Sequence, residues 1–216
     1  MNRSAKAVSA ALAIAGLAWA GQQAFALGAE GTLAFDANQA YRGERPDLTP
    51  YRDALLARAA HSSDPSIHEL SGIALARSPV DGNLAPALEQ LKRAIALRPV
   101  SPYTWADLAA QEYRSGDTGP DFEKALVNAV RLGPYEPAVQ ATAADFGLAV
   151  IDEVSPAARD AIDLSVARGL AREPKVFMQI AERRGRLDVA CRHLAGSTRQ
   201  GDAKWIQTCN SMEATS

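Results

Sequence analysis

The chain is poor in the residue types that carry chemistry, with two cysteines, three histidines and aromatics at only 6% of 216 residues. His61, His68 and His193 are scattered. His193 lies two residues from Cys191, but the further ligands a zinc ion needs are missing, so no metal site is expected. G-x-S-x-G, H-E-x-x-H, the phosphate loop and G-x-G-x-x-G are all absent, and no cofactor is expected. Asp152 and Glu153 are adjacent, and neighbours on a helix point about 100° apart, which makes them a poor acid–base pair. These absences argue against an enzyme. A basic excess is also lacking: 23 Lys and Arg stand against 25 Asp and Glu, for a formal charge of −2. Without a basic stripe there is nothing to neutralise a phosphate backbone, and nucleic acid is excluded as an expected partner. No segment alternates apolar and polar residues as a half-buried strand does. Alanine dominates the 47% apolar fraction, which favours helices that pack closely.

The N-terminus has the character of an export segment. Arg3 and Lys6 precede an uncharged apolar run from Ala7 to Ala20, followed by Gly21, Gln22 and Gln23. That run suits a signal h-region and is shorter than the roughly 20 residues that span a bilayer. Ala18-Trp19-Ala20 and Ala24-Phe25-Ala26 are small-x-small cleavage sites. Two fates lead, removal of residues 1–26 or their retention as an inner-membrane anchor if the helix continues to Leu27, with burial as a helix of the domain as the third. Both place the rest of the chain outside the cytoplasm, as a periplasmic protein either soluble or anchored. In that compartment Cys191 and Cys209, 18 positions apart, are expected to form a disulfide, with two free thiols as the alternative.

Residues 28–48 carry glycines and Arg42-Gly43-Glu44-Arg45-Pro46, and read as a linker or irregular lead-in after the segment 1–27. From 49 to 209 punctuation is regular. Thr49-Pro50, Asp64-Pro65, Ser101-Pro102 and Ser155-Pro156 each set an N-cap residue before a proline, where the missing first-turn amide costs nothing. Gly82, Gly116 and Gly185 fall between apolar-periodic segments and mark turns. The expected helices are 49–61, 66–77, 84–98, 102–115, 120–132, 136–152, 155–171, 174–184 and 186–195, with a short one near 201–208 and a disordered tail at 210–216. His61 and His68 flank a helix junction and are expected at its surface, and Arg183, Arg184 and Arg186 form a small basic cluster at a turn.

A repeat runs through these helices. Pro65, Pro99 and Pro134 are 34 and 35 residues apart, and Ala60, Ala94 and Ala129 each stand five residues before one of them. The unit from Pro102 opens with Trp105 and Leu108, turns at Gly116-Asp117, and closes with Leu126, Ala129, Leu132 and Pro134. The preceding unit shows Ala87, Leu91, Ala94, Leu97 and Pro99 at matching places. This pattern resembles the tetratricopeptide repeat, strongly over 84–135 and loosely over 65–200. The stretch 137–170 departs from it, with Ser155-Pro156 where a close-packed alanine belongs.

The resemblance implies an all-α chain folded as a short right-handed solenoid of antiparallel helix pairs, each pair buried only by stacking on the next. It also implies a concave groove lined by the first helix of each pair. On that face of helix 102–115 lie Tyr103, Ala106, Ala110 and Tyr113, in steps of 3, 4 and 3. Tyrosines combine contact area with a polar tip, which suits a peptide or glycan ligand, although the same residues would serve packing between repeats. The expected function is an extracytoplasmic adaptor or scaffold that binds a protein or peptide in an envelope assembly. The alternative, on overall layout, is a periplasmic accessory protein of exopolysaccharide biosynthesis or export.

Overall fold

A computed structural model of the chain describes the backbone of residues 3–42, 47–78, 80, 82–195 and 197–213, and the side chains from residue 16 onward except 42, 200, 212 and 213. Among the described residues the protein is all-helical, with no strand beyond one isolated bridge between Val80 and Asn83. Eleven α-helices follow in order: α1 Arg3–Arg42, α2 Arg52–Ala59, α3 Pro65–Arg77, α4 Ala85–Leu97, α5 Pro102–Arg114, α6 Pro120–Leu132, α7 Pro137–Leu148, α8 Pro156–Arg172, α9 Pro174–Arg183, α10 Leu187–Leu194 and α11 Ala203–Glu213.

Proline opens six of them, α3 and α5 to α9. At three of these starts the preceding side chain closes the cap: Asp64 accepts from the Ser66 amide, Ser101 from Thr104 and Ser155 from Ala158. Thr49-Pro50 does not start a full helix but a single 3-10 turn, Thr49–Tyr51, ahead of α2. Gly82, Gly116 and Gly185 take φ of +73°, +83° and +68° in the α3–α4, α5–α6 and α9–α10 connections, a region that a Cβ disfavours.

Consecutive helices pair most closely as α3 with α4, α5 with α6 and α7 with α8. The first helices of successive pairs then touch, α5 on α7 and α7 on α9, as do the second helices, α6 on α8 and α8 on α10. This is a repeat-like order in which each layer is covered by the next. Ala94 and Ala129 are 1% and 0% exposed, in the positions where helices of a pair approach. In the irregular unit another residue supplies the close approach. A Cβ on Gly147 of α7 would lie 2.4 Å from Ile162 of α8, and one on Gly169 would lie 2.1 Å from the Phe177 ring of α9. Gly72 of α3 approaches Leu91 of α4 in the same way, at 2.8 Å from a Cβ, so a glycine on the first helix serves both pairs.

Several expectations are corrected. Residues 28–42 are not a linker, because α1 runs through them without a break. The small Ala34 and Ala37 of α1 are buried against Leu70, Ile73 and Ala74 of α3 in a cluster with Leu55 and Ile67, and that packing holds the helix past Gly28 and Gly31. The expectations for residues 43–46 and 214–216 fall outside the described residues. The tail is helical as far as Glu213. α7 ends at Leu148 rather than 152, and the turn that follows buries Val150, Ile151 and Val154. His68 is fully buried: its ring bridges Gln90 Oε1 of α4 at 2.7 Å and the Ser62 carbonyl at 3.0 Å, tying the start of α3 to its partner helix.

No helix among the described residues is long and apolar enough to cross a membrane. α1 does leave Leu17, Trp19, Phe25 and Leu27 exposed.

Candidate functional site

The face that α5 presents away from Trp105 opens onto a cleft of about 810 Å³. Its placement begins with the turn between α4 and α5. Trp105 packs into the core and donates its indole N–H to the Pro99 carbonyl at 2.8 Å, so the turn is pinned to the helix it precedes. Pinning that turn sets Arg98, Val100 and Ser101 along the rim. Ser101 then caps α5, and Tyr103, Ala106 and Asp107 follow at helical spacing on the cleft side. α3 contributes Ser66, Glu69, Leu70, Ile73 and Arg77, and α7 contributes Ala138, Val139 and Thr142. The remaining wall is α1, through Ala34, Phe35, Asn38 and Tyr41. Small residues on α5 and α7 leave the space open, and larger ones stand around it.

The charges in the walls are mostly matched within the molecule. Arg98 donates to Glu69. Arg77 sits over the Tyr41 ring at 5.1 Å from its centroid. The Tyr103 hydroxyl donates to the Glu136 carboxylate at the start of α7. Asp107 differs. Desolvation in the cleft, together with the negative charge of Glu69, pushes its carboxyl up to about 7, and Arg114 and Arg77 only partly offset this. An acid of that kind exchanges its proton near neutrality. No group of three or more His, Cys, Asp or Glu able to hold a metal occurs among the described residues.

The four stripe residues do not share one fate. Tyr103 and Ala106 line the cleft, whereas Ala110 and Tyr113 do not. Ala110 is buried at 5% exposure. Tyr113 packs between Phe122, 6.4 Å away between ring centroids, and Phe146, 5.2 Å away, with Arg184 of the α9–α10 turn over both Tyr113 and Phe146 at 5.7 Å. Helices α7 and α9 close over that end of α5, so the stripe dives from groove into core along its length. The Arg183, Arg184 and Arg186 cluster is likewise internally matched: Asp145 accepts from Arg183 at 3.0 Å and from Arg184 at 2.7 Å, and Asp152 accepts from Arg186.

Asp107 is not among the stripe residues that the sequence singles out. It stands four residues after Tyr103 and one after Ala106, squarely on the same face, and that spacing was the available signal. Glu69 was out of reach of sequence reasoning, because only the packing of α3 beside α5 brings the two carboxylates to one cavity.

Elsewhere, the repeat residues Trp105 and Leu108 are buried, Pro99 and Pro134 follow the ends of α4 and α6, and Gly116 makes the α5–α6 turn. Cys191 of α10 and Cys209 of α11 are joined as a disulfide, with Cα atoms 5.6 Å apart. No family model, curated protein or solved structure matches the chain.

Proposed function

We propose that this chain is an exported adaptor of degenerate tetratricopeptide-like helix pairs, stacked as a short right-handed solenoid, which holds an extended segment of a protein partner in the α1/α3/α5/α7 cleft. The observation that carries this reading is the cleft itself: an open cavity lined by the first helices of three successive pairs, with a floor of small side chains and tyrosines at its edge. An extended peptide fits such a trough because its side chains reach pockets on either wall while its backbone stays near water. Exposed Leu17, Trp19, Phe25 and Leu27 on α1 support a role for that segment in export or in anchoring at the inner membrane, and on this reading the partner belongs to the cell envelope. Catalysis has no place in this reading.

Site-specific photocrosslinking tests it. A benzoylphenylalanine at Tyr103, expressed in the native host, should yield a discrete protein adduct, and the same group at exposed Lys124 of α6 should not. Adducts of equal yield at both positions would remove the cleft from the binding surface. An adduct that resists protease but yields to glycosidases would favour the polysaccharide alternative.

A further inference from the structure

We propose that the ligand of this cleft presents a cationic side chain, an arginine or lysine of a partner polypeptide, and that Asp107 is the residue that receives it. The proposal rests on the cleft being the binding site and narrows what binds there.

The argument is one of unmatched charge. Among the described residues lining the cavity, Glu69 is paired with Arg98, Arg77 is stacked on Tyr41, and Tyr103 is bonded to Glu136. Asp107 lies half-buried in the same wall, and no hydrogen bond or salt bridge from a described residue reaches its carboxylate. A desolvated carboxylate without a partner is costly unless it stays protonated, and an incoming guanidinium or ammonium would offset that cost by pairing with it. An anionic ligand group would instead add to the field that Glu69 already exerts on Asp107. Tyr103, one turn before Asp107 on α5, places an aromatic edge beside the carboxylate, where the stem of a long basic side chain can lie. The charged and titratable described groups facing Asp107 are Glu69 and Arg77 of α3, Arg98 at the end of α4, Tyr103 and Arg114 of α5, and Tyr41 of α1. The lining residues of α7 carry no charge.

The test is selection of random peptides displayed on phage against the full chain held in a nonionic detergent. Enriched sequences should share an arginine or lysine at one position, and Asp107→Asn should erase that preference. A second measurement needs no variant. An enriched arginine peptide without other titratable groups should bind the unmutated protein more tightly as pH rises. With Asp107 titrating at about 7, its ionised fraction grows roughly 30-fold between about pH 5.5 and about pH 8.5, and affinity should follow. Enriched peptides that are neutral or acidic, yet are lost on Ala138→Trp, would overturn the charge assignment and leave the cleft as the binding site. Peptides indifferent to Ala138→Trp, or no enrichment at all, would overturn both.

Discussion

The two ends of the helix array solve one problem in different ways. Each terminal pair exposes an apolar face that another pair would otherwise cover. At the C-terminal end, α11 lays Trp205 and Ile206 on the core beside Cys191, and the Cys191–Cys209 bond ties it down. A polar latch reinforces it: Arg199 donates to the Leu170 and Ala171 carbonyls of α8 and to Asp202, which also accepts from Ser197. The Ser197 hydroxyl and then the Arg199 guanidinium hold Asp202 below the usual carboxylate range. At the N-terminal end, α1 packs on α3 through Ala34 and Ala37, with Leu33 and Tyr41 beside them and Arg77 over the Tyr41 ring, and has no covalent tie among the described residues. The C-terminal cap is therefore locked, whereas the N-terminal cap is held by packing and forms a wall of the α1/α3/α5/α7 cleft. The proposed binding site and the cap without a covalent tie fall at the same end.

The largest effect that would test this contrast is expected at the disulfide. Closing a loop of 18 positions contributes about 3 kcal/mol on the chain-entropy model. Cys209→Ser should lower the melting temperature and raise hydrogen exchange over 200–209, while exchange in α1 stays unchanged. If exchange in 200–209 does not move, Trp205 packing and the Arg199 latch suffice without the bond.

Next comes Ala37→Leu. Ala37 is fully buried at the α1–α3 contact, and overpacking there should cost ~1–3 kcal/mol. It should also make α1 more susceptible to proteolysis between Leu27 and Arg42, with α5 to α11 still protected. Uniform protection in the variant would contradict a separable N-terminal cap.

Asp107→Asn should change stability in a pH-dependent way. The folded value of about 7 lies above the ordinary 3.8, so the folded state holds a proton that the unfolded state releases. Stability is greatest below the unfolded value and is lost as pH rises towards about 7. The asparagine variant should therefore gain on the wild type at about pH 8 and not at about pH 4. A constant difference in melting temperature across that range would place Asp107 in a fully solvated setting.

The smallest effect belongs to Tyr103→Phe. It removes an exposed hydrogen bond to Glu136 and should cost less than about 1 kcal/mol, read by thermal melts. Tyr113→Ala, by contrast, should cost several times more, because its ring is wedged between Phe122 and Phe146. Equal costs would undo the division of the stripe into groove and core.

Much of the architecture is legible before any coordinates, because it rests on local rules. A proline at the first helical position, a serine or aspartate ahead of it and a glycine at positive φ each act within four residues, and they mark α3 to α10 to within a few positions. The all-helical class follows from the same local evidence. What lay beyond that reach was decided by contacts far apart in sequence. α1 continues to Arg42 because α3 buries Ala34 and Ala37, although the glycines at 28 and 31 favour a break. The stripe on α5 splits because α7 and α9 cover Tyr113 and leave Tyr103 open. Asp107 acquires its raised proton affinity first from desolvation in the cleft and then from Glu69, which lies 38 positions earlier and becomes a neighbour only when α3 packs beside α5. Sequence by itself determines where most of the helices from α3 to α10 begin, since capping and turning are short-range. Tertiary packing alone decides which faces are buried and which charges meet, since burial and Coulomb interaction depend on distance in space.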